Sequence, residues 1–167
     1  ENLAFEVDPE TDQVLPHDAL SIAEMLPDKV TARIHASHGL GELPSPFDIR
    51  IPEPAMAGDH WDYRLVDDLE VLPTFVTTAG GRAGMRSAIY VSIRFEGRLF
   101  GGLNFYSKTP SRYVQDDVLV ARRITDHVAL ALSHRRLAEQ ARYNDELRAK
   151  TERNALLDEL LATLTDT

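Results

Sequence analysis

Hydrophobic and polar positions alternate through residues 88–95, and residues 99–106 follow as a return segment after Glu96-Gly97-Arg98. Alternation with a period of two is typical of a half-buried β-strand, and glycine adopts the positive φ of a tight turn at little steric cost. The sequence therefore predicts a β-hairpin. The Gly101-Gly102 pair in its second strand predicts a bulge or a close approach of something to the backbone.

Two further strands are predicted at residues 19–25 and 30–37, separated by a turn at Pro27-Asp28-Lys29. A short helix is predicted at residues 55–63 and one helical turn at residues 74–79, whereas residues 1–18 show no clear pattern. The stretch at residues 39–58 predicts a loop or an irregular edge because it is rich in glycine and proline: Gly39, Gly41, Pro44, Pro46, Pro52, Pro54 and Gly58.

A long helix is predicted for residues 111–167, where neither proline nor glycine occurs. The stretch is rich in the strong helix formers Ala, Leu, Arg and Glu. Its apolar positions recur with near-heptad spacing, at Val118, Ala121, Ile124, Val128, Ala131, Leu132, Ala138 and Ala141, and a second apolar cluster follows at Leu156, Leu157, Leu160, Leu161 and Leu164. Asp116 and Asp117 suit the first turn, where the helix dipole favours acids.

Such a helix would be on the order of 75 Å long, whereas a globule of this size measures about 35 Å. We expect its far end to extend beyond the globule. Because an isolated helix is marginally stable in water, a partner helix is the expected stabiliser. The alternative is a helix that frays after about residue 145.

The order of elements predicts an α+β domain with an antiparallel sheet. We expect the long C-terminal helix to pack on one face of the sheet and an irregular helix and loop segment to cover the other. The second face is where such an architecture would hold a ligand. The predicted division is a sensory domain at residues 1–140 and a linker or signalling helix at residues 141–167.

Composition narrows the possible functions. The net charge of −9 argues against nucleic-acid binding, and most of it lies in residues 1–111, which hold 9 Lys and Arg against 17 Asp and Glu. Because there is no cysteine, disulfides, thiolate metal sites and thiol catalysis are excluded for these residues. No apolar run approaches the roughly 20 residues of a membrane span, and no signal peptide is recognisable at the start.

An ordered set of short motifs resembles a GAF domain over about residues 12–140. The set comprises Asp67-Asp68-Leu69, the strand motif Gly101-Gly102-Leu103-Asn104, the acidic helix start at Asp116-Asp117, and the helix segment ITDHVALAL at residues 124–132. Trp61 falls where these domains often carry a helical tryptophan. Residues 15–21 and 154–167 are similar to GAF domains of bacterial transcription activators that work with sigma-54, and GAF domains of sensor histidine kinases are the close alternative.

The resemblance implies a cytoplasmic, non-enzymatic sensory domain that binds a small-molecule effector or senses conformation. It would relay the signal through a homodimer of its C-terminal helix to an output domain in transcription regulation. The alternative is a structural dimerisation module that binds no ligand. The resemblance does not identify a cofactor or an effector, and it implies contact with neither nucleic acid nor membrane.

Three activities found among GAF domains have no basis in these residues. Reduction of free methionine sulfoxide and covalent bilin attachment need cysteine, which is absent. The Asn-Lys-Phe-Asp-Glu set of cyclic-nucleotide-binding members cannot be placed here. The glycine-rich segment at residues 80–84 lacks the Lys-Ser/Thr of a phosphate loop and is predicted to form a flexible lid over the pocket.

The candidate ligand-binding residues are aromatic and polar side chains of the middle segment and of the inner sheet face. Aromatic surfaces with a few polar groups suit a small organic molecule. The alternative for each of them is a place in the core. The candidates are Trp61, Tyr63, Phe75, Arg86, Tyr90, Ser92, Asn104 and Tyr106.

No metal site is predicted. His35 and His38 are three residues apart on a predicted strand, so they point to opposite faces and cannot easily chelate one metal. A haem ligand from one of them stays open. His127 and His134 share a helix face, but the residues expected around a phospho-accepting histidine are missing. The acidic pairs Asp67-Asp68 and Asp116-Asp117 lack the spacing of a calcium loop.

Overall fold

The computed structural model describes residues 14–43, 47–51, 58–72 and 78–166. The strands are β1 Ala19–Met25, β2 Thr31–His38, β3 Phe47–Arg50, β4 Tyr63–Val66, β5 Ser87–Phe95 and β6 Arg98–Ser107. The α-helices are α1 Ala79–Arg82 and α2 Gln115–Thr165, and a 3-10 turn spans Leu69–Val71.

The strands form one six-stranded sheet in the order β3-β2-β1-β6-β5-β4. Every neighbouring pair is antiparallel, so the α+β prediction with an antiparallel sheet and a long C-terminal helix is confirmed. The two predicted hairpins, β1-β2 and β5-β6, meet at the centre because β1 pairs with β6.

The sequence predicted the long strands and missed the short ones. Strands β1, β2, β5 and β6 lie within one residue of their predicted bounds, whereas β3 and β4 were not predicted. The helix predicted at residues 55–63 is wrong for its described part, since residues 58–62 form no helix and Tyr63 begins β4. Trp61 therefore precedes a strand and is not helical. The helical turn predicted at 74–79 lies mostly outside the described residues.

Glycine is required at two points of the central hairpin. Glu96 and Gly97 both have positive φ, 49° and 78°, as in a two-residue hairpin turn of type I′. At Gly101 a Cβ atom would lie 1.9 Å from the carbonyl oxygen of Ala23 on β1. The predicted close approach to the backbone is therefore made by the neighbouring strand itself, next to a register shift after Ile93.

The two faces of the sheet bury different residue sets. On β5, Ile89, Val91 and Ile93 are fully buried on one face, and Ala88 and Tyr90 are buried on the other. The first face is the side of helix α2, whose Arg122 reaches the Ser92 carbonyl oxygen at 3.5 Å. The buried positions of α2 recur at the helical repeat, at Val118, Ala121, Thr125 and Val128.

Helix α2 starts with a cap that the sequence did not make obvious. Val114 has no side-chain acceptor, but its N–H group donates to Oδ2 of Asp117 at 2.8 Å. Asp116 and Asp117 also place negative charge in the first turn, where the helix dipole favours it. The helix then continues without interruption to Thr165, as predicted.

The chain divides into two compact units, residues 1–129 and residues 130–167. The first contains the sheet. In the second, residues 134–166 are all exposed. The division predicted at residue 140 stays a prediction about function. Among the described residues, none of the helices combines the length and the apolar character that crossing a membrane requires.

Candidate ligand-binding cavity

A cavity lies on the sheet face opposite helix α2. Its volume is about 40 Å³, measured as the space open to the centres of water-sized molecules, so it is large enough for more than one water molecule. Its walls come from β1, β2, β3, β5, β6, helix α1 and the segment before β4. The lining residues are Ala23, Met25, Ala32, Ile49, Ile51, Trp61, Thr78, Ala79, Tyr90, Gly101, Gly102, Asn104 and Tyr106.

Small side chains open this cavity. Ala23 and Ala32 lie on neighbouring strands, and Ala79 is the first residue of helix α1. Gly102 lies beneath Trp61, since a Cβ atom there would be 3.0 Å from the tip of the indole ring. Larger residues at these positions would fill the space between the sheet and its cover.

The cavity has a polar floor at the centre of the sheet. Asn104 donates from Nδ2 to the hydroxyl of Ser21 at 3.1 Å, and that hydroxyl lies 3.4 Å from the hydroxyl of Tyr106. Burial raises the pKa of Tyr106, so its phenol stays neutral and can act as a hydrogen-bond donor. Tyr90 packs edge-to-face on Tyr106 with ring centroids 5.9 Å apart.

Among the described residues that line this cavity, none has a charged side chain. Transfer of an ion from water into such a site is unfavourable unless a counter-charge or several hydrogen bonds compensate. The cavity therefore suits an uncharged molecule with an apolar body and at least one polar group that reaches the floor.

Two buried polar atoms beside the cavity, Nε1 of Trp61 and Oγ of Ser92, have no hydrogen-bond partner among the residues that the structure describes. Ser92 pairs with Gly102 across β5 and β6, so it shares the cavity face of the sheet. An unsatisfied buried polar group costs roughly 1–3 kcal/mol. The buried polar groups in the cavity wall around Trp61 therefore do not all form hydrogen bonds with the described residues.

Two arginines hold the segment that carries Trp61. Arg94 donates from Nη2 to the carbonyl oxygens of Asp59, at 2.7 Å, and Trp61, at 2.8 Å. Arg122, from helix α2, forms an ion pair with the carboxylate of Asp62 and donates to its carbonyl oxygen at 3.2 Å. One short segment therefore touches both the cavity and the helix.

The structure brings four of the eight predicted residues together at the cavity, namely Trp61, Tyr90, Asn104 and Tyr106. Ser92 is buried beside it on the same sheet face. Tyr63 does not line it, because it lies on the helix side, where its hydroxyl accepts from Nε2 of Gln115 at 2.9 Å. Phe75 lies outside the described residues.

Arg86 does not line the cavity either. Its guanidinium donates to both carboxylate oxygens of Asp68, at 3.2 and 2.9 Å, and lies 3.4 Å from Glu70. These hydrogen bonds lower the pKa of Asp68, which also caps the 3-10 turn by accepting from the Glu70 N–H at 3.1 Å. The Asp68–Arg86 pair thus fixes the turn before helix α1.

The residues that sequence reasoning missed are the small and aliphatic ones. Ala23 and Ala32 gave no chemical signal, and strand alternation alone does not tell which alanine borders empty space. The glycine-rich segment predicted to be a lid forms helix α1, in which Gly80 packs against the ring of Tyr106. Thr78 caps this helix by accepting from the Gly81 N–H at 2.9 Å.

The histidines show no metal geometry. Nε2 of His35 lies 2.5 Å from Oε2 of Glu24 on the neighbouring strand, and His38 is exposed at the end of β2. Within the described ranges, no three acidic or histidine side chains are placed to hold a metal ion.

Comparison with solved structures identifies proteins with a similar fold. The structure is similar to a domain described as part of a two-component sensor histidine kinase from Sinorhizobium meliloti 1021, with a TM-score of 0.63 and 21% identity over 80% of this chain and 90% of that one. It is also similar to a GAF domain from Synechocystis sp. PCC6803 in its photoproduct state, with a TM-score of 0.60 and 16% identity over 78% and 91% of the two chains.

A third similar structure is a type II free methionine-R-sulfoxide reductase from Thermoplasma acidophilum, with a TM-score of 0.54 and 16% identity over 72% of this chain and 82% of that one. At these identities the likeness concerns the fold alone. No curated protein gave a significant match.

The fold and the cavity define an α+β domain with a small space between its sheet and the segments that cover it. A sequence model of the family described as GAF domain matches residues 8–133. The chain belongs to the GAF domain family.

Proposed function

We propose that this GAF domain is a sensory module that takes up a small, uncharged organic effector in the cavity and relays its presence through helix α2. The observation that carries the proposal is the cavity itself, which combines apolar walls with a neutral polar floor of Asn104 and Tyr106, both in contact with the hydroxyl of Ser21 behind them. Such a combination selects for shape and for one hydrogen-bonding group.

The relay is proposed to run through the segment around Trp61. A ligand that displaces the indole would move a backbone that Arg94 holds from the sheet and Arg122 holds from helix α2. Trp61 Nε1 and Ser92 Oγ, which have no partner within the described part of the chain, favour a second arrangement of this wall, because a ligand acceptor would satisfy a buried donor. A ligand shifts the equilibrium only as far as it prefers one arrangement.

The output is proposed to lie outside these residues. Residues 141–167 would pair with the same residues of a second copy, and the homodimer would pass the signal to an output domain of a cytoplasmic, bacterial regulator. A sigma-54-dependent transcription activator is our proposed host, and a sensor histidine kinase is the alternative. No enzymatic role is proposed, because the residues include no cysteine and no nucleophile–base set that sequence reasoning could identify.

Phenol is the probe for this proposal, since it combines an apolar ring with one neutral hydroxyl. We expect millimolar phenol to raise the thermal unfolding midpoint by a few degrees, because a ligand that binds only the folded state stabilises it. Benzoate, which has a similar ring but a charge, should leave the midpoint unchanged. Differential scanning fluorimetry across a concentration series checks both.

A matched pair of variants tests whether phenol binds in the cavity. Ala32→Leu fills the cavity and should abolish the phenol shift, whereas Ala149→Leu makes the same change on the exposed part of α2 and should keep it. If phenol and benzoate shift the wild type equally, or if Ala32→Leu responds like the wild type, the cavity is not the binding site. The structural dimerisation module, without a ligand, would then be the better account.

A further inference from the structure

The exposed leucines of helix α2 are concentrated near its end. Leu156, Leu157, Leu160, Leu161 and Leu164 are each at least half exposed in the single chain. Further back, Tyr143 and Leu147 are exposed as well, at 58% and 46%. Large apolar side chains that remain in water along one helix indicate a surface that associates with something else.

Most of these residues fall on one heptad seam. With the a positions at Leu147, Asn154 and Leu161, the d positions are Tyr143, Lys150, Leu157 and Leu164. Five of these seven positions carry large apolar side chains, as in a two-stranded coiled coil. The same frame extended backwards puts Ser133, Arg136 and Gln140 on the seam, so the coiled-coil pattern begins at Tyr143.

We propose that residues 143–164 of two copies of this chain form a parallel, in-register coiled coil in which Asn154 faces its own counterpart. The proposal rests on the homodimer of the proposed function and adds its orientation and register. A single asparagine at an a position favours a two-stranded coiled coil and fixes the register of its helices. Only when the two helices are in register can the two side-chain amides hydrogen-bond to each other.

The flanking charges agree with this register. In a parallel pair, a g residue faces the e residue five positions later on the other helix. Arg153 is at g and Asp158 is at e, so the pair gives two identical attractions across the dimer. The preceding g residue, Glu146, faces the neutral Thr151, so no like charges oppose each other at these positions.

Lys150 is the one charge on the seam itself. Its long aliphatic stem can lie along the apolar surface while its ammonium group reaches water. Glu146 lies four residues before it on the same helix, which is the favourable spacing and orientation for an ion pair. The repulsion between the two copies of Lys150 is therefore offset locally.

An antiparallel pair would lose these features. There, an a position faces a d position, so Asn154 would lie against a leucine, a tyrosine or a lysine. Such an arrangement buries the amide without an identical partner, which is unfavourable. The parallel register is thus the one in which both the polar seam residue and the flanking charges are satisfied.

The absence of cysteine makes the geometry directly testable by cross-linking. In the proposed register, Leu161→Cys brings two thiols together at the seam, within the Cα separation of about 4.4–6.8 Å that a disulfide needs. We expect near-complete disulfide-linked dimer under mild oxidation. Ala162→Cys, one residue further and outside the seam, is the matched control and should cross-link at least tenfold more slowly.

In an antiparallel pair in which Asn154 faces Leu157, the two Leu161 positions would be roughly 16 Å apart along the axis, since each lies about five and a half residues of 1.5 Å from the centre. Slow cross-linking of Leu161→Cys, equal to the control, therefore overturns the parallel register. Sedimentation of the reduced chain separates this outcome from failure of the proposed function: a dimer without the cross-link refutes only the register, whereas a monomer refutes both.

A second variant tests the role of Asn154. Asn154→Leu should tighten association and add species larger than a dimer, because the polar residue that limits the assembly is gone. Unchanged association and a sharp dimer in this variant would contradict the facing pair of Asn154 side chains. Sedimentation velocity at several concentrations distinguishes the two results.

Discussion

We expect the Gly101→Ala variant to lose about 3 kcal/mol or more of its free energy of unfolding, which is at the upper end of the usual overpacking range. The added Cβ atom would lie 1.9 Å from the carbonyl oxygen of Ala23 and 2.8 Å from the Cα atom of Glu24. Both atoms belong to the backbone of β1, so no side-chain rotation can relieve the clash. The strands at the centre of the sheet would have to separate.

The neighbouring glycine provides the control. In Gly102→Ala the two nearest atoms belong to side chains, the tip of the Trp61 indole at 3.0 Å and Oδ1 of Asn104 at 3.1 Å, and the nearest backbone atom is the carbonyl oxygen of Val91 at 3.3 Å. Side chains can yield by a few tenths of an ångström, so we expect a loss of only about 1 kcal/mol. Urea denaturation of both variants, compared at equal m-value, measures the difference. Equal losses would contradict the close β1–β6 approach.

The second large effect concerns the coiled coil. We expect the Leu157→Asp/Leu161→Asp double variant to raise the dimer Kd on the order of 100-fold or more. Burial of a leucine contributes roughly 1.5–3 kcal/mol, and each chain loses two such side chains while acquiring charges on the seam. Sedimentation equilibrium of the wild type and the variant gives the ratio of the two Kd values.

The same charges placed outside the seam are the matched control. Leu156→Asp/Ala162→Asp changes the net charge and the helix propensity of the same segment but leaves the a and d positions intact. We expect its Kd to stay within a few-fold of the wild type. If both double variants dissociate alike, the association depends on overall charge or helix content, and residues 143–164 do not pair by the proposed seam.

Local signals explain how much of the fold could be predicted. Strand β5 contains the β-branched residues Ile89, Val91 and Ile93, and a Glu96-Gly97 turn of the type that joins adjacent strands directly connects it to β6, so their pairing follows from nearby residues. Strands β3 and β4 have four residues each and obtain their conformation from pairing with β2 and β5. Their sequences alone do not distinguish them from loops.

The cavity could be predicted only in part, for a related reason. Strand alternation predicted one sheet face for Tyr90, Ser92 and Tyr106, and in the register of β5 and β6 these residues share a face. Ala23, Ala32 and Gly102 leave space for the cavity because they have small side chains or none. Which small residues border the cavity can be told only when the register of the strands and the segments covering the sheet are known. A charged candidate was misplaced, because Arg86 has its carboxylate partners at the turn before α1.

The link between the cavity and the helix is the central claim, and it is tested by the dimer Kd with and without saturating phenol. If phenol prefers one arrangement of the Trp61 segment and of helix α2, the Kd should change at least about fivefold, the lower end of typical coupling between sites. Ala32→Leu should show no change. A wild-type Kd that is the same in both conditions, while phenol still raises the unfolding midpoint, would contradict the relay.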